Sequence, residues 1–182
     1  MVSARDEINF NSDHFALFGL TPAFRIDTLS LDKRFREIQA RVHPDRFAHA
    51  GESERRVSLQ WATRVNEAYQ TLKNPLARAQ YLLDLAGKSI DKENNTSMPP
   101  EFLMEQMEWR EAVAEARQAQ EYGELEQLHY RVRQRMNKRY EQLAELLDDQ
   151  RDYALAADRV RRLMFLEKLL AEIDDGIAAL EA

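Results

Sequence analysis

Apolar residues recur along this chain at the spacing of helices. Leu31, Phe35, Ile38 and Val42 fall at i, i+4, i+7 and i+11, which predicts a helix from Asp27 or Thr28 to about Val42 with one buried stripe. Either Asp27 or Thr28 can cap its start. Pro44 stops it, because the proline ring pushes residue 43 out of the helical region. A short helix over residues 13–20 comes before, carrying Phe15, Leu17, Phe18 and Leu20 and ended by Gly19 and Pro22. A longer one over 54–73 comes after, with Val57, Trp61, Val65, Ala68, Tyr69 and Leu72 on one face. Asn74 and Pro75 then restart the chain as N-cap and first helical residue. The helix they begin runs through Leu76, Ala79, Leu82 and Leu83 to Gly87, a residue suited to the C′ position.

The pattern breaks between residues 88 and 99, a polar stretch closed by Pro99 and Pro100, which reads as a linker. Three longer helices are predicted beyond it, over 100–121, 124–149 and 152–180, punctuated by Gly123 and by Asp148 and Asp149. In the middle one Leu125, Leu128, Val132, Met136, Leu143 and Leu147 form the stripe. Three helices with short connections close most simply as an antiparallel bundle. The expected fold class is all-α: an N-terminal helical hairpin over 1–87, a linker over 88–99, and a C-terminal antiparallel three-helix bundle over 100–182.

Composition supports helices and narrows the chemistry. Gly and Pro number five each, low for a turn-rich β protein. The chain has no cysteine, which excludes disulfides, thiolate metal sites and cysteine nucleophiles. No apolar run approaches the roughly 18 residues of a membrane span, and the first residues lack the order of a signal peptide. The expected location is cytoplasmic. The formal charge is −6 and unevenly spread. Residues 1–87 carry 12 Lys and Arg against 11 Asp and Glu, whereas 88–182 carry 14 against 21. The acidic second half disfavours a polyanion partner. No nucleic acid and no membrane are expected as partners.

The second helix is basic on its outer side. Lys33 and Arg36 lie opposite the apolar stripe, with Arg34 and Arg41 on a flank, and His43-Pro44-Asp45 comes directly after. A basic amphipathic helix, this tripeptide and a long returning helix together resemble the J-domain of DnaJ-class co-chaperones. The resemblance implies that His43, Pro44 and Asp45 dock on the ATPase domain of a DnaK-class chaperone and stimulate its ATP hydrolysis. Lys33, Arg34, Arg36, Arg41 and Arg46 would supply attraction. Proline limits the entropy lost on docking, and an exposed aspartate suits an arginine of the partner.

The second half of the chain is unlike that of a general J-protein, which continues into a Gly/Phe-rich segment and cysteine modules. The run from Phe102 to Glu111, with Phe15-Ala-Leu-Phe-Gly-Leu20, Asn74-Pro-Leu-Ala-Arg-Ala-Gln-Tyr-Leu-Leu83 and Arg162-Leu-Met-Phe-Leu-Glu-Lys168, resembles the HscB family of bacterial iron–sulfur cluster assembly. The likeness extends over almost the whole chain, from about residue 11 to 180. It implies a second domain that binds the scaffold protein IscU and delivers it to the chaperone HscA. On the first bundle helix Phe102, Trp109, Val113 and Ala116 make the core stripe. Met104, Glu108, Glu111 and Glu115 lie about 180° away, with Leu103 and Met107 alongside. Phe165 points away from Val160, Leu163 and Leu170 on the last helix. By resemblance Leu103, Met104, Met107 and Phe165 are the apolar scaffold-binding positions, and Glu108, Glu111 and Glu115 the acidic ones. Methionine suits such a patch because it adapts its shape.

Rival readings fit less well. Glu126-x-x-His129 has di-iron spacing, but that chemistry needs two such motifs and two further glutamates. No Walker-type loop or nucleophile elbow is present. The chain is expected not to be an enzyme and to need no cofactor or metal. A general client-binding J-protein and a DNA-binding helical protein are the remaining alternatives.

Overall fold

The computed structural model describes residues 12–47, 51–90 and 99–181, and among these every regular element is helical. The helices are α1 (His14–Leu17), α2 (Thr28–Val42), α3 (Glu52–Lys73), α4 (Pro75–Leu85), α5 (Pro100–Gln118), α6 (Tyr122–Ala144) and α7 (Tyr153–Glu181), with a single 3-10 turn at Pro44–Phe47. The chain divides into two compact units, Met1–Leu82 and Leu83–Ala182. That division falls inside α4, ahead of the boundary expected at Gly87. Residues 91–98 of the expected linker lie outside the described residues.

In the first unit α2 and α3 form an antiparallel hairpin. Three ties fix the register: the Asp32–Lys73 ion pair at 2.6 Å, the Phe35–Tyr69 stack at 3.9 Å, and Ser58 donating to the Val42 carbonyl at 2.7 Å. Phe15, Leu17, Phe18, Leu31, Ile38, Val65, Ala68 and Leu72 fill the core between α1, α2 and α3. Each such large side chain withdrawn from water contributes roughly 2 kcal/mol. Helix ends obey local chemistry. Asn74 Oδ1 accepts the Ala77 N–H at 3.0 Å and caps α4. Gly19 and Gly87 take φ of +58° and +69°. The bonds Leu20 N–H to Phe15 O and Lys88 N–H to Leu83 O then close α1 and α4 with left-handed caps.

Asp27 caps α2. Its Oδ1 accepts the Leu29 and Ser30 N–H groups at 3.0 and 3.3 Å, and its Oδ2 accepts the Ser30 hydroxyl at 2.6 Å. These bonds, the Ser30 hydroxyl first, hold its pKa below the ordinary 3.8. Because the folded pKa is depressed, the stabilisation is present above 3.8 and disappears as pH falls through the folded value. Asp27→Ala is expected to lower stability at neutral pH, because the Leu29 and Ser30 N–H groups lose their cap. In acid the variant and the parent converge. Urea melts followed by circular dichroism at several pH values check both statements.

The second unit is an antiparallel bundle. Tyr122 bonds Glu181 at 3.1 Å and His129 approaches Asp174 at 3.3 Å, so α6 and α7 run in opposite directions. Phe102, Val113 and Ala116 of α5, Leu125, Leu128, Val132 and Met136 of α6, and Val160, Leu163, Leu166, Leu169 and Ile173 of α7 make the core. α6 widens at its end into a π-type turn, Glu145–Gln150, with Leu146 and Leu147 both buried. No helix among the described residues is long and apolar enough to cross a membrane.

Two expected punctuation points are corrected. Gly123 does not end a helix but lies in the first turn of α6. The left-handed position after α5 is taken by Gln120 at φ 54°, closed by Glu121 N–H to Ala116 O at 3.0 Å. Asp148 and Asp149 lie within the wide turn, and the chain reverses at Arg151 (φ 54°). Asp152 then caps α7, accepting the Leu155 N–H at 3.0 Å.

Candidate functional site

The tripeptide occupies the open end of the hairpin. His43 ends α2 in extended backbone, φ −60° and ψ 129°, as a residue before proline should. The Asp45 N–H donates to His43 Nδ1 at 3.3 Å. That bond uses the Nδ1 lone pair, so the neutral imidazole carries its proton on Nε2. The Asp45 carboxylate stands 3.6 Å from Nδ1, with its side chain 90% exposed and that of His43 50%. The loop thus presents one N–H donor and one carboxylate to solvent side by side. The side chains of Pro44 and Phe47 lie outside the described residues.

The five basic residues assigned to this surface divide. Lys33, Arg36 and Arg41 are exposed and form no ion pair among the described residues. Arg46 donates to the Ala40 carbonyl at 3.1 Å, satisfying one of the open carbonyls at the end of α2. Arg34 is turned inward instead. Its guanidinium donates to the Phe18 carbonyl, and a Cβ on Gly19 would stand 2.6 Å from Nη1. It ties α2 to the end of α1. Arg34→Ala is expected to cost roughly 1 kcal/mol or more of stability, because a charge-assisted bond is lost. Arg36→Ala is expected to stay within about 0.5 kcal/mol of the parent. Paired denaturant melts separate the two.

In the second unit α5 has one face in the core and one in solvent. Leu103, Met104 and Met107 are 48%, 62% and 70% exposed. Glu108, Glu111 and Glu115 continue the same strip toward the helix end, all exposed and none paired among the described residues. Three large apolar side chains near the helix start, succeeded by three free carboxylates, form a contiguous amphipathic strip.

Phe165 does not share that exposure, which corrects its expected outward position. It is 8% exposed, edge-on to Phe102 at 5.8 Å, with the Arg110 guanidinium 5.8 Å from its ring. The reason is the place of α7 in the bundle. Both α5 and α6 pack on it, so its buried arc is wider than one stripe and takes in position 165.

A groove of about 280 Å³ runs along the other side of Glu108, between α5 and α6. Glu105 in its wall pairs with Arg135, and with Arg139 at 3.5 Å. Arg131 pairs with Glu124 at 2.8 Å and lies 5.9 Å from the Trp109 ring centre. Sequence reasoning placed Trp109 wholly in the core and passed over these arginines. Their spacing at 131, 135 and 139 on one side of α6 was the available signal.

Comparison with known proteins decides the family. A co-chaperone protein HscB homolog from Azoarcus sp. is 57% identical over 96% of this chain and 98% of that protein. The chain belongs to the HscB family. A second HscB homolog, from Aromatoleum aromaticum, is 53% identical over the same share of the chain. The family model described as the HSCB C-terminal oligomerisation domain matches residues 98–174. Among solved structures, chaperone HscB from Vibrio cholerae aligns with a TM-score of 0.81 at 38% identity, covering 93% of this chain and 99% of that one. Human co-chaperone protein HscB aligns with a TM-score of 0.86 at 29% identity, covering 91% and 82%. The HscB fold, a J-type helical hairpin with a helical bundle after it, is therefore the fold of this chain. Its relatives are named co-chaperones, which agrees with a protein that works on a chaperone and is not itself an enzyme.

Proposed function

We propose that this chain couples an iron–sulfur scaffold protein of the IscU type to a DnaK-class ATPase chaperone of the HscA type. Residues 1–87 dock on the chaperone through His43, Pro44 and Asp45, steered by Lys33, Arg36 and Arg41. Residues 100–182 hold the scaffold on the α5 strip of Leu103, Met104, Met107, Glu108, Glu111 and Glu115. Arg34, Arg46 and Phe165 support these surfaces from behind, through the ties already described. Residues 88–99 join the two, and the protein acts in the cytoplasm.

The observation that carries this reading is the separate exposure of two unlike surfaces in one HscB-family chain. One is a polar tip with a donor and an exposed carboxylate, the other an apolar strip with a free acidic end. Neither contains a nucleophile–base pair or a phosphate-binding loop, so the chemistry is assigned to the chaperone's ATP. Mixing the purified chain with the chaperone, ATP and scaffold is expected to raise single-turnover hydrolysis more than chaperone plus scaffold alone. Equal rates with and without the chain would remove the proposal.

A further inference from the structure

The first helix closes on α4 around one histidine. His14 opens α1, and its ring lies nearly flat on that of Tyr81, with centroids 4.2 Å apart. Its backbone N–H donates to the Tyr81 hydroxyl at 3.0 Å. Its Nδ1 is sealed from water and has no hydrogen-bond partner among the described residues. The titratable groups around the ring come from three elements: Asp13 caps α1, Arg64 and Glu67 belong to α3, and Tyr81 belongs to α4. Arg64 is held beside the start of α1 by donating to the Ser12 carbonyl at 2.6 Å.

A neutral imidazole fits this setting and an imidazolium does not. Protonation puts a hydrogen on both ring nitrogens. A charged N–H would then stand at Nδ1 with neither water nor an acceptor, which is costly. Glu67, Asp13 and the face of Tyr81 attract a cation. Burial first and Arg64 second prevail over them and hold the His14 pKa below the ordinary 6.5.

We propose that His14 is a pH-sensitive clasp: the neutral ring closes α1 onto Tyr81, and protonation releases it. The clasp's contribution to stability is complete above 6.5, declines below it, and is gone once pH has fallen through the folded value. α1 supplies Phe15, Leu17 and Phe18 to the core it shares with Leu31 and Ile38 of α2, so its loosening reaches the hairpin. The hairpin also carries the surface proposed above to meet the chaperone. The clasp is measured on the chain alone, so its failure leaves that proposal untouched.

The full chain is followed by NMR and by thermal melts between about pH 7.5 and about pH 5. The ring protons of His14, identified by their loss in His14→Phe, are expected to titrate below 6.5. Over the same range the hydrogen-exchange protection of the Leu17 and Leu20 amides, which close α1, should fall several-fold in the parent. It should hold in His14→Phe, which keeps a flat ring for Tyr81 and cannot titrate. The parent should also lose a few degrees more in melting temperature than the variant. His14→Tyr serves if the phenylalanine variant does not fold. Titration of His14 at or above 6.5 overturns the proposal. So does a loss of α1 protection in acid that the non-titrating variant shows to the same extent as the parent.

Discussion

His43→Gln is expected to abolish stimulation of the chaperone ATPase while leaving helicity and melting unchanged. The stability half rests on exposure: the imidazole is half in solvent and its one bond is to a backbone N–H two residues on. A surface change of this kind stays within about 0.5 kcal/mol. The activity half rests on geometry. The imidazole is a rigid plane whose Nδ1 accepts the Asp45 amide, which leaves Nε2–H as the donor available to a partner. Glutamine can donate and accept, but each of its added torsions must be frozen on docking, at roughly 1.5–2 kcal/mol for the side chain. A loss of about 1.4 kcal/mol is roughly tenfold in affinity, and a misaimed donor adds to it. Single-turnover hydrolysis with saturating scaffold measures the effect. Full stimulation by the variant would contradict the docking role of His43.

Joint replacement of Leu103, Met104 and Met107 by alanine is expected to weaken scaffold binding by about two orders of magnitude. These side chains are 48%, 62% and 70% exposed, so burial under a partner removes a substantial apolar area. About 1 kcal/mol from each gives roughly 3 kcal/mol, near a hundredfold. Replacing Glu108, Glu111 and Glu115 by alanine should cost less. Exposed charges at a rim act mainly on the association rate, and added salt screens them. Titration calorimetry at two ionic strengths separates the two. The acidic variant approaches the parent in high salt, whereas the apolar variant stays weak. The reverse ranking would assign the contact to charge rather than burial. In either case the fold should hold, because the core side of α5 is untouched.

Much of the fold is legible in the sequence because helix ends are written in short-range chemistry. Asp27, Asn74 with Pro75, Gly87 and Asp152 act on residues a few positions away, and all do what their types imply. The misreadings share another cause. Gly123 is the obvious turn residue, yet Gln120 takes the left-handed position, which a side chain can do at modest cost. Phe165 looks outward when a single stripe on one helix is considered, whereas α7 is buried by two neighbours. Arg34 resembles its basic companions until the Phe18 carbonyl, distant in sequence, comes within reach of its guanidinium. Residues whose role depends on one helix face are readable. Those whose role depends on a second element are not.

The contacts of α4 bear on how the first unit is completed as the chain is made. Tyr81 accepts the His14 N–H at 3.0 Å and stacks on the His14 ring at 4.2 Å. Arg78 donates to the Leu72 carbonyl at 2.7 Å and lies 5.0 Å from the Phe24 ring centre. The hairpin bearing His43-Pro44-Asp45 is fully synthesised before either residue exists. A nascent chain that has reached Lys73 carries the whole tripeptide tip and both hairpin helices of the core, but not the covers for His14 and Phe24. The tip is present before its support is finished, and the next dozen residues to leave the ribosome add the last contacts of the first helix.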